Sequence, residues 1–296
     1  MLTSINPYEI IEFYYVRYFC LTLLIFGTFG NIVNICIFTC SKFRSVSCSW
    51  YFLIGTFENF IALYIGCLTR FLSTFNINPT TPLSASLYCK FRSYFTYGSL
   101  STSIWLIIGA CIDRWASSSS NVQIRSISTI KMAKRILHLI YSPILYSYNG
   151  SYQLPSSDCI TLTPIWQLYI SAGFFLTYSF LPCCLMLIFG LMTIENVRTS
   201  RRRIAQIQNT RKTSIQMAFM LFMQVICSII ISLPISLQSM YNVLTRNDYK
   251  SIEQQQLENF LNTLFVTFTF MNSAISFYIF TLTGKIFRKE LKKFLC

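Results

Sequence analysis

Charge is what this chain has least of: only 11% of its 296 residues are Asp, Glu, Lys or Arg. A soluble domain carries roughly a quarter of its residues charged, so a water-facing globule of this length is excluded. Histidine is nearly absent as well, His138 being the one in the chain. No paired Cys/His spacing accompanies it, so no zinc site, no other metal and no cofactor is expected. The ten acidic residues form no cluster with a nucleophile at a shared depth, which argues against an intramembrane enzyme. No repeated half with matching broken helices is visible, which argues against a transporter, although solute flux from vesicles would revive that reading. No small-residue cleavage site follows the first apolar run, so the first helix is expected to act as its own uncleaved insertion signal.

What the chain does have is apolar sequence: 53% hydrophobic residues and a mean hydropathy of +0.50. That places it in a lipid bilayer. Its 24 cations leave a formal charge of +14, yet they sit between apolar runs rather than along one hydrated face. Nucleic-acid binding is therefore not expected, and membrane topology is. Twelve cysteines do not make a disulfide framework, because Cys20, Cys36, Cys67, Cys111, Cys183, Cys184 and Cys227 lie within apolar runs as small hydrophobes. Cys89 and Cys159 alone fall in outer segments.

The stretch Cys89 to Trp115 organises the rest. At 1.5 Å per residue its 25 steps from Cys89 to Arg114 cover about 37 Å, enough to join the two headgroup layers. Around it the apolar runs predict an all-α membrane protein of seven transmembrane helices, at about 13–40, 49–72, 90–115, 130–147, 165–193, 213–240 and 258–283. The fourth span is short, cationic at its start and interrupted by Pro143; the topology requires it. Residues 284–295 alternate apolar and basic residues with helical spacing, predicting a short amphipathic helix along the membrane surface. Of the 24 cations, 18 fall in segments assigned to one side. The positive-inside rule then puts the amino terminus outside and the carboxyl terminus in the cytoplasm of a multi-pass membrane protein, for which the plasma membrane is the expected location. Asn149-Gly150-Ser151, in the second outer loop, fits a glycosylation acceptor. Glu58-Asn59 at mid-depth of the second span must be protonated, hydrogen-bonded or turned to a polar cavity.

In order along the chain stand Gly30-Asn31-x-x-Asn34, Cys89, Asp113-Arg114-Trp115, Cys159, Pro182, Pro234 and Asn272-Ser273 before Phe287-Arg288. This order resembles the rhodopsin-like G-protein-coupled receptors, and the stretch Asn272 to Arg288 resembles the seventh helix of invertebrate FMRFamide-type neuropeptide receptors. The resemblance implies an extracellular peptide or small-molecule ligand, a heterotrimeric G-protein partner, and a Cys89–Cys159 bridge. It implies that Asp113, Arg114 and Trp115 serve G-protein coupling, and that Arg92, Thr96, Tyr97, Leu100, Ile235, Ser239, Asn262 and Val266 wall the ligand site. Thr96 stands where amine receptors carry an aspartate, which favours a short peptide; a chemosensory receptor of the same fold is the alternative. Asn31, Asn59, Ser103, Asn272 and Ser276 would form a buried polar network. Four of these line the pocket that binds sodium in relatives, but Asn59 brings no charge, so hydrogen bonding between helices is expected there instead.

The chain also departs from the family. Asn59 replaces the mid-membrane Asp, Ile231-Ser232-Leu233-Pro234 replaces CWxP, Phe277 replaces the NPxxY proline, and Gly190 replaces a helix-five Tyr. Between Gln206 and Met220 there is no Asp or Glu, so the acidic clamp that holds the arginine in many relatives is missing. Raised ligand-independent activity is the implied consequence.

Overall fold

In the computed structural model the described residues are 7–44, 46–75, 77, 82–119, 121–125, 151–152, 159–160, 173, 175–203, 208–245 and 248–295. Among them six helices are long and apolar enough to cross a membrane. They are α1 (Pro7–Phe38), α2 (Ser47–Ser73), α3 (Pro82–Ser118), α4 (Leu181–Arg203, entered through a π-turn at Phe175–Phe180), α5 (Gln208–Leu244) and α6 (Ile252–Thr283). A shorter α7 (Lys285–Leu295) closes the chain. Four of the predicted spans correspond to α1, α2, α3 and α6, and the fifth and sixth to α4 and α5; the fourth, 130–147, lies outside the described residues. Two strands of two residues each, Ser151–Tyr152 and Cys159–Ile160, pair antiparallel with Tyr152 opposite Cys159.

The helices outrun the apolar segments that predict them. Pro82, at the first helical position where its missing N–H costs nothing, starts α3 eight residues before Lys90. Ser251 caps α6, its hydroxyl accepting from the Gln254 amide at 3.2 Å, so that helix begins before Glu258. Pro234 does not end α5, which continues to Leu244. Nearby hydroxyls of Ser232 and Ser236 donate to carbonyls four residues back, both at 2.7 Å, and need no outside partner.

Small residues set the helix spacing. A Cβ on Gly27 would stand 2.7 Å from Leu63 Cδ1 and 3.1 Å from Ala274 Cβ, so α1 reaches α2 and α6 only because that atom is missing. At Gly30 the added carbon would be 2.8 Å from Phe277 Cβ. Phe277, bulkier than a proline, is accommodated there. Outward faces stay apolar: Ile25, Phe29 and Ile32 on α1, Ile188 and Leu191 on α4, and Ile230, Leu233 and Leu237 on α5 are exposed. Apolar surface of that extent over long helices belongs against lipid.

Side-chain contacts give the direction of each helix. Asn59 meets Ser103 and Ser47 meets Asp113, so α2 and α3 are antiparallel. Trp105 donates to the Thr177 carbonyl at 3.0 Å, Trp115 packs on Phe189, and Asn196 donates to Ser118 at 3.3 Å. Residue numbers rise together, so α3 and α4 run the same way. Tyr15 donates to the Leu264 carbonyl and Asn31 to that of Ser273, making α1 and α6 parallel too. The first residues of α1 and the last of α6 therefore lie at opposite ends of the bundle.

At the Arg114 end a cluster of phenylalanines fastens α7. Phe287 is fully buried, with Phe38, Phe277 and Phe280 rings 5.9–6.1 Å from its own. Arg288 donates to the Leu282 carbonyl at 2.7 Å and so serves an open carbonyl at the end of α6. Lys285, Arg288, Lys289, Lys292 and Lys293 are exposed.

Candidate functional site

One end of the site is an internal ion pair. Arg114 Nη2 donates to Asp113 Oδ2 at 2.6 Å and Arg114 Nε to the same oxygen at 3.2 Å. Ser47, at the start of α2, donates to that oxygen at 2.8 Å. Both charged side chains are about 6% exposed, so the arginine is folded back on its neighbour under the end of α2. Buried charges persist only when paired and hydrogen-bonded, which this arrangement achieves. Gly109, one turn earlier, holds the local packing: a Cβ there would lie 2.6 Å from the Tyr51 ring. Trp115 turns toward α4, its ring 5.5 Å from that of Phe189.

Midway through the bundle four helices bring polar side chains together. Ser103 of α3 donates to Asn59 Oδ1 of α2 at 3.0 Å. Gln224 of α5 donates to Ser276 of α6 at 3.2 Å, and Asn272 donates to Ser232 at 3.3 Å. The Tyr178 side chain, in the π-turn that leads into α4, is also buried. Asn59, Ser103, Gln224 and Ser276 line a gap of about 20 Å³ whose other walls include Tyr51, Phe52 and Phe280. Asn272 joins this set through its carbonyl, which accepts from Ser276 at 3.5 Å. Asn31 stands apart, bound to the Ser273 carbonyl at 3.0 Å. Glu58 is buried and does not line the gap.

The Cys89 end is more divided. Thr96 is buried where α2, α3 and α6 meet; a Cβ on Gly66, within the π-helical turn Ala62–Cys67, would clash with Phe270 and with Thr96 Cγ2. Leu100 and Ile235 are buried as well, Arg92, Tyr97, Ser239 and Val266 are half-buried, and Asn262 is exposed. These eight positions are thus distributed from the packed interior to the surface. A polar clasp stands on the same end. Lys250 Nζ lies 2.6 Å from Glu258 Oε2, Tyr241 donates to Glu258 Oε1 at 3.0 Å, and Gln254 donates to the Tyr241 hydroxyl at 3.3 Å. It ties the last turns of α5 to the first turns of α6 through the link between them.

No motif in the sequence marks Gln224 or Glu258. A lone glutamine in an apolar run was the available signal for the first, since an amide in hydrocarbon must face a partner. Asn149 and the side chains of Cys89 and Cys159 lie outside what the structure describes. Among the described residues no group of three His, Cys, Asp or Glu side chains could hold a metal ion. A scan against protein-family models and a search of curated proteins each give no match to this chain.

Proposed function

We propose that the chain is a seven-helix, rhodopsin-like G-protein-coupled receptor of the plasma membrane that binds a short extracellular peptide and activates a heterotrimeric G protein. The observation that carries this reading is the folded-back arginine. Arg114 is paired at 2.6 Å with the residue before it, at one end of a helix that starts beyond Cys89 at the other. An arginine stored on an internal partner can be released to an outside one. Ligand binding at the far end then acts by shifting the population of bundles in which the pair is open, with no covalent chemistry.

The direction of α3 and α4 supports the seventh crossing. Two successive membrane-length helices among the described residues that run the same way need the intervening chain to return to the Cys89 end, and inside a bilayer such a return is a crossing. The pairing of Tyr152 with Cys159 fits a loop on that side, where a Cys89–Cys159 bridge would hold it across the ligand entrance. Thr96, which offers no carboxylate to an ammonium, favours a peptide over an amine. The test is to express the full chain at the cell surface, apply a neuropeptide library and record G-protein activation. Activation by an odorant library alone would make it a chemosensory receptor, and solute flux without activation would make it a transporter.

A further inference from the structure

Gln224 sits midway along α5 and is 2% exposed. Its Nε2 is committed to Ser276, while its Oε1 has no partner among the described residues. Buried amide oxygens are almost always satisfied, by protein or by ordered water. The gap that Gln224 lines with Asn59, Ser103 and Ser276 has the right size for one. A water needs about one probe sphere of space and at least two polar neighbours. Besides the Gln224 oxygen, the Ser103 hydroxyl serves: its proton goes to Asn59 Oδ1 at 3.0 Å, leaving its oxygen lone pairs to accept from a water.

A hard cation is the other species that oxygen ligands could hold, but a divalent one takes six or more of them with carboxylates among them, and a sodium ion buried here would have no countercharge beside it. No lining residue of this gap is charged. We infer that the gap is a one-water site and that Gln224 is the latch of α5, bonded directly to α6 and through the water to the Asn59–Ser103 pair of α2 and α3. It stands in for a restraint that the sequence lacks. No acid lies between Gln206 and Met220 to reach Arg114, and the arginine is held by Asp113 and Ser47 instead. What the latch does for signalling rests on the receptor reading; the water site and the hold on α5 do not.

The test uses the full chain in lipid nanodiscs. Backbone hydrogen exchange over residues 219–232 is compared in wild type, Gln224→Met, Ser276→Ala and the double variant. Each single change should speed exchange about fivefold, the worth of one buried hydrogen bond, and the double should fall short of the product because both remove the same bond. Wild-type exchange in both single variants, or full multiplicativity in the double, overturns the latch. Unfolding temperature is also measured in sodium chloride and in choline chloride at equal ionic strength. Equal values are expected; a rise specific to sodium overturns the water assignment. G-protein activation recorded on the same preparations reports on the receptor reading alone, so its failure leaves the exchange and salt results standing.

Discussion

On the proposed receptor reading, Asp113→Asn probes the resting state most sharply, because it keeps the side chain's shape and removes its charge. Asp113 Oδ2 accepts from both Arg114 Nε and Nη2, and from Ser47. Removing one member of a buried pair costs about 3–5 kcal/mol when the other charge stays in place. Arg114 need not stay, since it lies near the end of α3 and can swing outward to water or to a partner. If half of the penalty survives that relaxation, the closed bundle loses about 2 kcal/mol against the open one, a shift of about 30-fold in their ratio. The assay is ligand-independent G-protein activation, normalised to the amount of chain at the surface, with thermal unfolding measured alongside. Activation should rise and unfolding temperature should fall. A variant present at wild-type surface level with both quantities unchanged would refute the reasoning, because the pair would then be holding nothing.

Four further outcomes follow, three from particular contacts and one from the proposed receptor function. Phe287→Ala empties a fully buried aromatic site between α1 and α6 and should cost about 3–5 kcal/mol, read as faster proteolysis of residues 285–295. Gly66→Val forces atoms into Phe270 and Thr96 and should cost at least the 1–3 kcal/mol of ordinary overpacking, read as a lower unfolding temperature. Glu258→Gln breaks the Lys250 pair, a partly buried contact worth about 1 kcal/mol, and the difference from wild type should shrink in high salt. On the proposed receptor reading, Cys159→Ser and Cys89→Ser should each lower surface expression and ligand response, and the double variant should be no worse than either, as expected if the two share a bridge.

Much of the helical framework was legible in the sequence, because an uninterrupted apolar run of membrane length leaves the backbone few alternatives to a helix. Helix ends were less so. Pro82 and Ser251 are helix starters by their own chemistry, yet each lies in polar sequence that hydropathy assigns to a loop. The fit of Phe277 was not visible at all: its room comes from Gly30, some 250 residues away, and no local pattern encodes it. Of the network expected from Asn31, Asn59, Ser103, Asn272 and Ser276, three residues, Asn59, Ser103 and Ser276, line one gap, and Asn31 binds the Ser273 carbonyl instead. Gln224 escaped because it belongs to no motif, and the Lys250–Glu258 clasp escaped because it needs two helix ends and their link folded together. The Glu58 carboxyl was expected to need shelter at mid-depth and is buried there, away from the polar gap.

Counting the crossings tests the account most directly. Epitope tags placed at the two termini of the full chain, probed with antibody on intact and on permeabilised cells, report whether that number is odd or even. The account predicts an amino-terminal tag reached on intact cells and a carboxyl-terminal tag reached only after permeabilisation. Both tags on one side would mean an even number of crossings, and the receptor reading would fall with it.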